Sequence, residues 1–300
     1  MSKVIIKGIM PAMITPLKPD NTIDETALRN HIEWLLPFGI SGLYVAGSTG
    51  EGILLSPQER KRLMRLVVEI VAGRGLVVCH IADMRLENTL ELARYARTVG
   101  VDMISAIPPI FFKYDQSEIV DYYESIAKTA DLPLLMYSID NSGNSIDLEV
   151  VKRLISNENI VGIKWTHYNY YMMERLKSIN GGDINIVNGP DESIICGLAA
   201  GADAGIGSTY NTMPGLFVDL YRSFCEGDVE AARFNQKIIN DIISVYIKYG
   251  VFRSIRTILR HIGTDVGDSP APARAFSEDE KREFLSELDW FDFKTQKQLR

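Results

Sequence analysis

The amino-acid sequence predicts an α/β protein, a closed (β/α)8 TIM barrel with a C-terminal helical extension. Eight short, mostly apolar segments alternate with amphipathic stretches as far as residue 228, and the alternation then stops. The apolar segments lack the polar alternation of half-exposed strands, as expected for strands buried on both faces. Eight strands that are each followed by a helix are typical of a parallel barrel.

The predicted strands are evenly spread along the first part of the chain, which suits a barrel. No Gly-x-Gly-x-x-Gly turn follows the first strand, and this disfavours an open doubly wound sheet, the main alternative. The strands are predicted at residues 8–13, 42–46, 76–81, 102–107, 133–138, 160–164, 184–188 and 203–207.

The helices between the strands have recognisable ends. The first stops before Pro37. The second begins at Ser56, whose spacing from Glu59 predicts a capping box with Pro57 at the first helical position, and Gly73 is placed to end it. Later barrel helices are predicted at residues 87–99, 116–129, 147–156, 170–179, 191–200 and 214–226.

Beyond residue 228 the pattern is helical only. Three helices are predicted at residues 229–248, 250–262 and 277–289, with the Pro-Ala-Pro segment at 270–272 as a linker. No shift in composition marks a separate domain. We therefore expect residues 1–228 to form the barrel and residues 229–300 a helical extension packed on the barrel or on another subunit, as one structural unit.

The composition excludes several classes of function. With 46% hydrophobic and 24% charged residues, it is that of an ordinary globular protein, and a net charge of -7 disfavours nucleic acid and anionic membranes as main partners. No apolar run approaches the roughly 20 residues that span a bilayer, and the N-terminus lacks a secretion-signal pattern. The cysteines and histidines show neither redox nor metal-ligand spacing, so we expect a reduced, cytoplasmic protein without a bound metal. They are Cys79, Cys196, Cys225, His31, His80, His167 and His261.

A lysine, Lys164, ends the apolar segment IVGIK at residues 160–164. Burial among apolar groups favours the uncharged amine, and a neutral lysine is a nucleophile towards carbonyl carbon. A structural lysine that is ion-paired or reaches water is the alternative, and this segment alone leaves that alternative open.

Other polar side chains follow the carboxyl ends of strands, where barrel active sites lie. Ser48 and Thr49 occupy a Gly-Ser-Thr-Gly turn that suits a carboxylate or phosphate oxygen, or is simply a tight turn. Tyr137 either buries its ring or shuttles a proton. Asp191 and Glu192 either bind sugar-like hydroxyl groups or open the next helix.

Together these residues resemble the N-acetylneuraminate lyase and dihydrodipicolinate synthase superfamily over essentially the whole chain. The resemblance rests on GSTGE at residues 47–51, on the strand tyrosine Tyr137 and on Lys164 with Thr166. Three more matches favour the lyase branch, namely GPDE at 189–192, GSTYN at 207–211 and GVFR at 250–253.

The resemblance implies a class I, Schiff-base aldolase that cleaves N-acetylneuraminate to N-acetylmannosamine and pyruvate. Lys164 would form a covalent imine with pyruvate, so no metal or organic cofactor is expected, and Tyr137 would move protons. Ser48 and Thr49 would hold the keto-acid carboxylate. The resemblance also implies a homotetramer that acts on a small-molecule 2-keto acid or sugar acid. The resemblance also implies the residues that bind the hydroxylated tail of the sugar acid. They are Thr166, Gly189, Asp191, Glu192 and Ser208, and Phe252 would line the same cavity.

The sequence departs from the family at two places. No arginine follows Tyr137 within residues 138–142, where the synthase branch binds a second carboxylate, and Asp140 replaces a common proline. Phe111 stands where the family often supplies a relay tyrosine from a neighbouring subunit, so Tyr114 or water would have to substitute. Alternative functions are an aldolase for another 2-keto-3-deoxy sugar acid, dihydrodipicolinate synthase, a phosphosugar isomerase, or a non-catalytic keto-acid or sugar-acid binding protein.

Overall fold

A computed structural model describes residues 4–140 and 143–299 of the protein. The strands of its large sheet are β1 (Gly8–Pro11), β2 (Gly42–Val45), β3 (Leu76–His80), β4 (Met103–Ala106), β5 (Leu134–Ile139), β6 (Ile160–Thr166), β7 (Asn185–Asn188) and β8 (Ala204–Gly207). The helices are α1 (Glu25–Leu35), α2 (Pro57–Val71), α3 (Leu86–Val99), α4 (Gln116–Ala130), α5 (Leu148–Leu154), α6 (Tyr170–Lys177), α7 (Ile194–Ala199), α8 (Pro214–Cys225), α9 (Val229–Tyr249), α10 (Val251–His261) and α11 (Glu278–Ser286). A short antiparallel pair, β9 (Phe291–Asp292) and β10 (Lys297–Gln298), follows them.

The eight strands are parallel and form one sheet that closes on itself. Neighbouring strands follow the order β1-β8-β7-β6-β5-β4-β3-β2. The remaining edge, between β1 and β2, is bridged just past the end of β1, where Ala12 pairs with Tyr44 and the Met13 amide donates to the Tyr44 carbonyl at 2.8 Å. The predicted (β/α)8 barrel with C-terminal helices is therefore confirmed.

The C-terminal helices share a hydrophobic core with the last part of the barrel. Phe217 on α8 and Tyr246 on α9 are fully buried in the same cluster as Phe284 on α11. Burying aromatic rings of this size stabilises the contact by roughly 2 kcal/mol each or more. The helices therefore lie against the barrel, while the division at residue 228 stays a prediction.

Strands β5 and β6 pair with a one-residue irregularity. Leu134 lies opposite Ile160, but Leu135 lies opposite Gly162, so β6 contains an extra residue at this point. Tyr137 consequently faces Lys164 across the pair. At Gly162 the backbone of β7 approaches so closely that a Cβ atom would overlap the Asn185 carbonyl oxygen. Glycine is thus required where the two strands approach.

Several element boundaries differ from the sequence prediction. β6 continues to Thr166, so Lys164 lies within a strand rather than at its end. The predicted capping box forms only in part, since Ser56 accepts from the Glu59 amide while the Glu59 carboxylate accepts from the Ile23 amide. The predicted helix at 191–200 begins as a 3-10 turn, Asp191–Ser193, before α7. The predicted helix at 277–289 ends at Ser286, although its capping box forms.

We expect Gly162→Ala to destabilise the protein. The added methyl group has no space against β7, and overpacking of this kind costs about 1–3 kcal/mol. Urea denaturation of the variant and the wild type measures the difference in free energy of unfolding. Equal urea midpoints for the two proteins would contradict this prediction, because β6 and β7 would then accommodate the methyl group without a loss of stability.

Candidate active site

The amine of Lys164 lies between two tyrosine rings inside the barrel. Its Nζ atom is 4.2 Å from the ring centre of Tyr137 and 5.0 Å from that of Tyr44. Lys164 is 5% exposed and Tyr137 is 3% exposed. Within residues 4–140 and 143–299, the amine forms no salt bridge, and the two aromatic faces are its recorded contacts. The side chain is therefore not engaged as a structural ion pair, which was the alternative interpretation of this lysine.

His80 adds a third ring to this part of the interior. Its ring lies 6.1 Å from that of Tyr137 and 6.3 Å from that of Tyr44. Burial, aided by the charges of Arg60 and Lys164, lowers the pKa of His80 to about 3. The imidazole is consequently neutral at physiological pH and adds no positive charge beside the lysine.

The GSTGE turn that follows β2 brings hydroxyl groups to the mouth of the barrel. Thr49 is buried and its hydroxyl shares a 2.6 Å hydrogen bond with that of Ser208, whereas Ser48 is exposed. Glu51 ends the turn in a left-handed conformation and pairs with buried Arg256 at 2.5 Å. Arg256 also donates to the Thr15 carbonyl, so α10 holds this turn in place.

A cavity of about 220 Å³ opens beside these hydroxyl groups. Thr166 reaches it from the end of β6, and its buried hydroxyl has no hydrogen-bond partner in the described chain. Gly189 lies against Thr166 so closely that any Cβ atom would overlap the Thr166 hydroxyl. An unpaired buried hydroxyl costs stability, so a hydrogen bond from a ligand to this group would be favourable. The cavity is lined by Thr166, Tyr168, Gly189, Pro190, Asp191, Glu192, Ser208, Thr209, Ile243, Ile247 and Val251.

Two carboxylates line this cavity, and they differ in burial and in their hydrogen-bond partners. Asp191 is buried and accepts two 2.7 Å hydrogen bonds from Thr209, one from the backbone amide and one from the hydroxyl. It lies in the first turn of the 3-10 segment that leads into α7 and caps neither, so it opens this helical segment as well as facing the cavity. Burial, partly opposed by the Thr209 bonds, raises the pKa of Asp191 to about 6. Glu192 is partly exposed and accepts a hydrogen bond from the hydroxyl of Tyr168.

Two phenylalanines lie away from this arrangement. Phe252 is 37% exposed, and its neighbour Val251 rather than Phe252 itself lines the cavity. Phe111 is 81% exposed and adopts a φ of 77°, a left-handed conformation that is rare for a bulky residue. Of the segment after Tyr137 that lacks an arginine, residues 141 and 142 lie outside the described part of the chain.

A hydrogen-bonded serine, histidine and aspartate also lie at this end of the barrel. His167 bonds to the Ser138 hydroxyl at 2.8 Å and to the Asp140 carboxylate. Ser138 is buried, and it alternates along β5 with Tyr137, which faces the barrel interior. Its hydroxyl therefore points outwards and does not face Lys164, so these residues connect the ends of β5 and β6.

Sequence analysis missed Tyr44, Tyr168 and Arg256 as residues of the site. Tyr44 lies within an apolar strand, and only the inward alternation of β2 shows that its ring meets Lys164. Tyr168 is one of several aromatic residues after β6, with no spacing that distinguishes it. Arg256 is separated from Glu51 by most of the chain, so no local pattern could have paired them.

No helix in residues 4–140 and 143–299 is both long and apolar enough to cross a bilayer. Over the same residues, no three His, Cys, Asp or Glu side chains are grouped so that they could hold a metal ion.

Comparison with known proteins gives consistent matches. A sequence profile of the dihydrodipicolinate synthetase family matches residues 5–289. An N-acetylneuraminate lyase of Citrobacter koseri is 35% identical over 286 residues, which cover 94% of this chain and 95% of that protein. The structure of Proteus mirabilis N-acetylneuraminate lyase matches with a TM-score of 0.91 at 30% identity, covering 99% of this chain and all, 100%, of that one. A dihydrodipicolinate synthase from Aquifex aeolicus matches with a TM-score of 0.89 at 25% identity, covering 95% of this chain and 97% of that one.

We expect Asp191→Asn to change how stability depends on pH. The pKa of Asp191 is about 6 in the folded state against an ordinary 3.8, so folding favours its protonated form. The wild type should therefore gain stability as the pH falls from 7 through 6 towards 4, and lose it as the pH rises again.

The variant lacks this titration. Relative to Asp191→Asn, the wild-type free energy of unfolding should increase by up to roughly 3 kcal/mol over that range. Urea denaturation at several pH values measures both proteins. A difference that stays constant with pH would contradict the raised pKa.

Proposed function

The chain belongs to the dihydrodipicolinate synthetase family and is a carbon–carbon lyase, and from this we propose that it is a class I aldolase that cleaves N-acetylneuraminate to N-acetylmannosamine and pyruvate. The observation that carries the proposal is the position of Lys164. Its amine is buried against two aromatic faces and opposite Tyr137, with no salt bridge inside the described chain. This arrangement suits a nucleophile towards a ketone.

The reaction follows from these groups. The amine of Lys164 adds to the keto carbon and loses water, giving an iminium that withdraws electrons from the neighbouring bond. The bond between the first and second carbons beyond the iminium carbon then breaks, as the hydroxyl group on the second of them loses its proton through the Tyr137 hydroxyl to the substrate carboxylate; an aldehyde is released and an enamine remains. Protonation of the enamine and addition of water then release pyruvate and restore the amine. No metal or organic cofactor takes part.

The remaining site residues bind the substrate. Ser48 and Thr49 hold the keto-acid carboxylate, and Ser208 lies next to them through its bond to Thr49. The tail occupies the cavity beyond, where the unpaired Thr166 hydroxyl and the Glu192 carboxylate can bond its hydroxyl groups. Gly189 and Asp191 line that cavity. Phe252 comes directly after Val251 in the sequence, and of these two residues only Val251 lines the cavity.

Charge supports a hydroxylated substrate. Carboxylates only accept hydrogen bonds, so Asp191 and Glu192 suit sugar hydroxyl groups and repel a phosphate or a second carboxylate. This disfavours both a phosphosugar isomerase and a dihydrodipicolinate synthase, although a synthase is among the structural relatives. An aldolase for a shorter 2-keto-3-deoxy sugar acid is the nearest alternative. Pyruvate release from a panel of sugar acids separates it from the neuraminate lyase, and release from none of them would favour a binding protein.

We further propose that the protein works as a cytoplasmic homotetramer. Apolar side chains are exposed on the segments that follow β2, β3 and β4, which neighbour one another around the barrel. An exposed apolar patch of this kind is typical of a protein interface. The side chains are Ile53, Leu54, Met84, Leu86, Phe111 and Phe112.

We expect pyruvate and borohydride to label Lys164 irreversibly. Reduction of the imine should add one reduced pyruvate to the peptide that contains Lys164, as measured by mass spectrometry, and Lys164→Arg should remain unlabelled. Tyr137→Phe should still be labelled, but its kcat should fall by roughly 10²–10⁴ because it cannot move the proton. An unlabelled wild type would rule out the Schiff-base mechanism.

We expect Phe111→Asp to disrupt the assembly. Placing a charge in an apolar interface leaves it unpaired and desolvated. Light scattering should show a tetramer for the wild type and a smaller species for the variant, while Leu299→Asp, which changes an exposed apolar residue elsewhere, should remain a tetramer. A monomeric wild type would contradict the proposed assembly.

A further inference from the structure

Tyr168 connects the end of β6 to the carboxylates that follow β7. It lies two residues beyond Thr166 and lines the same cavity as Thr166, Asp191 and Glu192. Its hydroxyl donates to Oε1 of Glu192. Neither the family motifs nor the reaction described above uses this side chain.

The segment that carries Tyr168 is anchored on both sides of the contact. Asn169 caps α6 by accepting from the Met172 amide at 3.0 Å, and the Tyr170 hydroxyl donates to the Ser193 hydroxyl. The hydroxyl groups of Tyr168 and Tyr170 therefore link the segment at the start of α6 to residues 192 and 193. Because the Tyr168 side chain is largely exposed, its hydrogen bond to Glu192, rather than burial, holds its ring on the cavity wall.

The contact orients a carboxylate that is otherwise free to rotate. Asp191 is held by Thr209, but Glu192 is partly exposed and its long side chain loses rotamer freedom when it is fixed. With Oε1 accepting from Tyr168, Oε2 remains to accept from a ligand. The bond to Glu192 is the main cause that raises the pKa of Tyr168 to about 12. The phenol therefore remains a donor across the neutral pH range.

We propose that Tyr168 is a specificity-determining residue that orients Glu192 towards the hydroxylated tail of the substrate and forms one wall of the tail cavity. Through it, the enzyme distinguishes sugar acids with a long hydroxylated tail from short 4-hydroxy-2-keto acids. This inference rests on the proposed aldolase function. Its ligand class is a polyhydroxylated 2-keto acid whose tail reaches past Thr166.

The test is Tyr168→Phe, which removes the hydroxyl and keeps the ring. For N-acetylneuraminate, KM should rise about five- to tenfold, the loss expected for one hydrogen bond, with a smaller change in kcat. For a short 4-hydroxy-2-keto acid without a tail, KM should change less than twofold. Tyr171→Phe is the matched control, because Tyr171 lies three residues further along, in α6, is similarly exposed and does not line the cavity. It should behave as the wild type.

The outcomes separate this inference from the function on which it rests. If the wild type cleaves sugar acids but Tyr168→Phe leaves KM for the long substrate unchanged, lowers it, or raises both KM values equally, then the inference is wrong and the aldolase stands. If the wild type releases no pyruvate from any sugar acid, the proposed function fails and the inference falls with it. Borohydride trapping with pyruvate alone shows which case applies, because pyruvate has no tail to bind.

Discussion

The active-site geometry depends on one extra residue in β6. If the pairing that begins with Leu134 opposite Ile160 continued evenly, Tyr137 would face Ile163, and Lys164 would pair with the outward-facing Ser138. The irregularity restores the pairing of Tyr137 with Lys164, so that both side chains point into the barrel. Because side chains alternate between the faces of a strand, a shift by one residue reverses which side chains face inwards. Gly162 permits this shift while β7 lies close against it.

The groups in contact with the lysine amine carry no negative charge. Tyr44 and Tyr137 present ring faces, and His80 is held neutral by burial. A cation can interact favourably with an aromatic face, but such contacts supply about 0.5–2 kcal/mol and leave the amine free to react. The carboxylates are placed further out, in the tail cavity, with Asp191 bound to Thr209 and Glu192 to Tyr168. The lysine amine and the two carboxylates thus lie in separate regions of the candidate site.

Local patterns predicted the elements better than their contacts. Apolar runs and cap residues located the strands and helices of the barrel, because burial on both faces and unpaired helix ends act over a few residues. Glu59 shows the limit of such local patterns. Its spacing from Ser56 predicted a reciprocal cap, but its carboxylate accepts a hydrogen bond from the distant Ile23 amide. Asp191 shows it again, because a residue expected to bind a ligand or open a helix accepts from Thr209.

The sequence by itself determined the barrel architecture, and it identified the lysine and tyrosine of the proposed reaction and the residue types around them, because each depends on short-range periodicity or on a motif. Only the tertiary structure decided that Tyr137 and Lys164 face each other, that Tyr44 joins them, and that Tyr168 meets Glu192. The physical reason is that these relations depend on strand register and on the approach of separate backbones. Both are set by the packing of the whole barrel rather than by neighbouring residues in the chain.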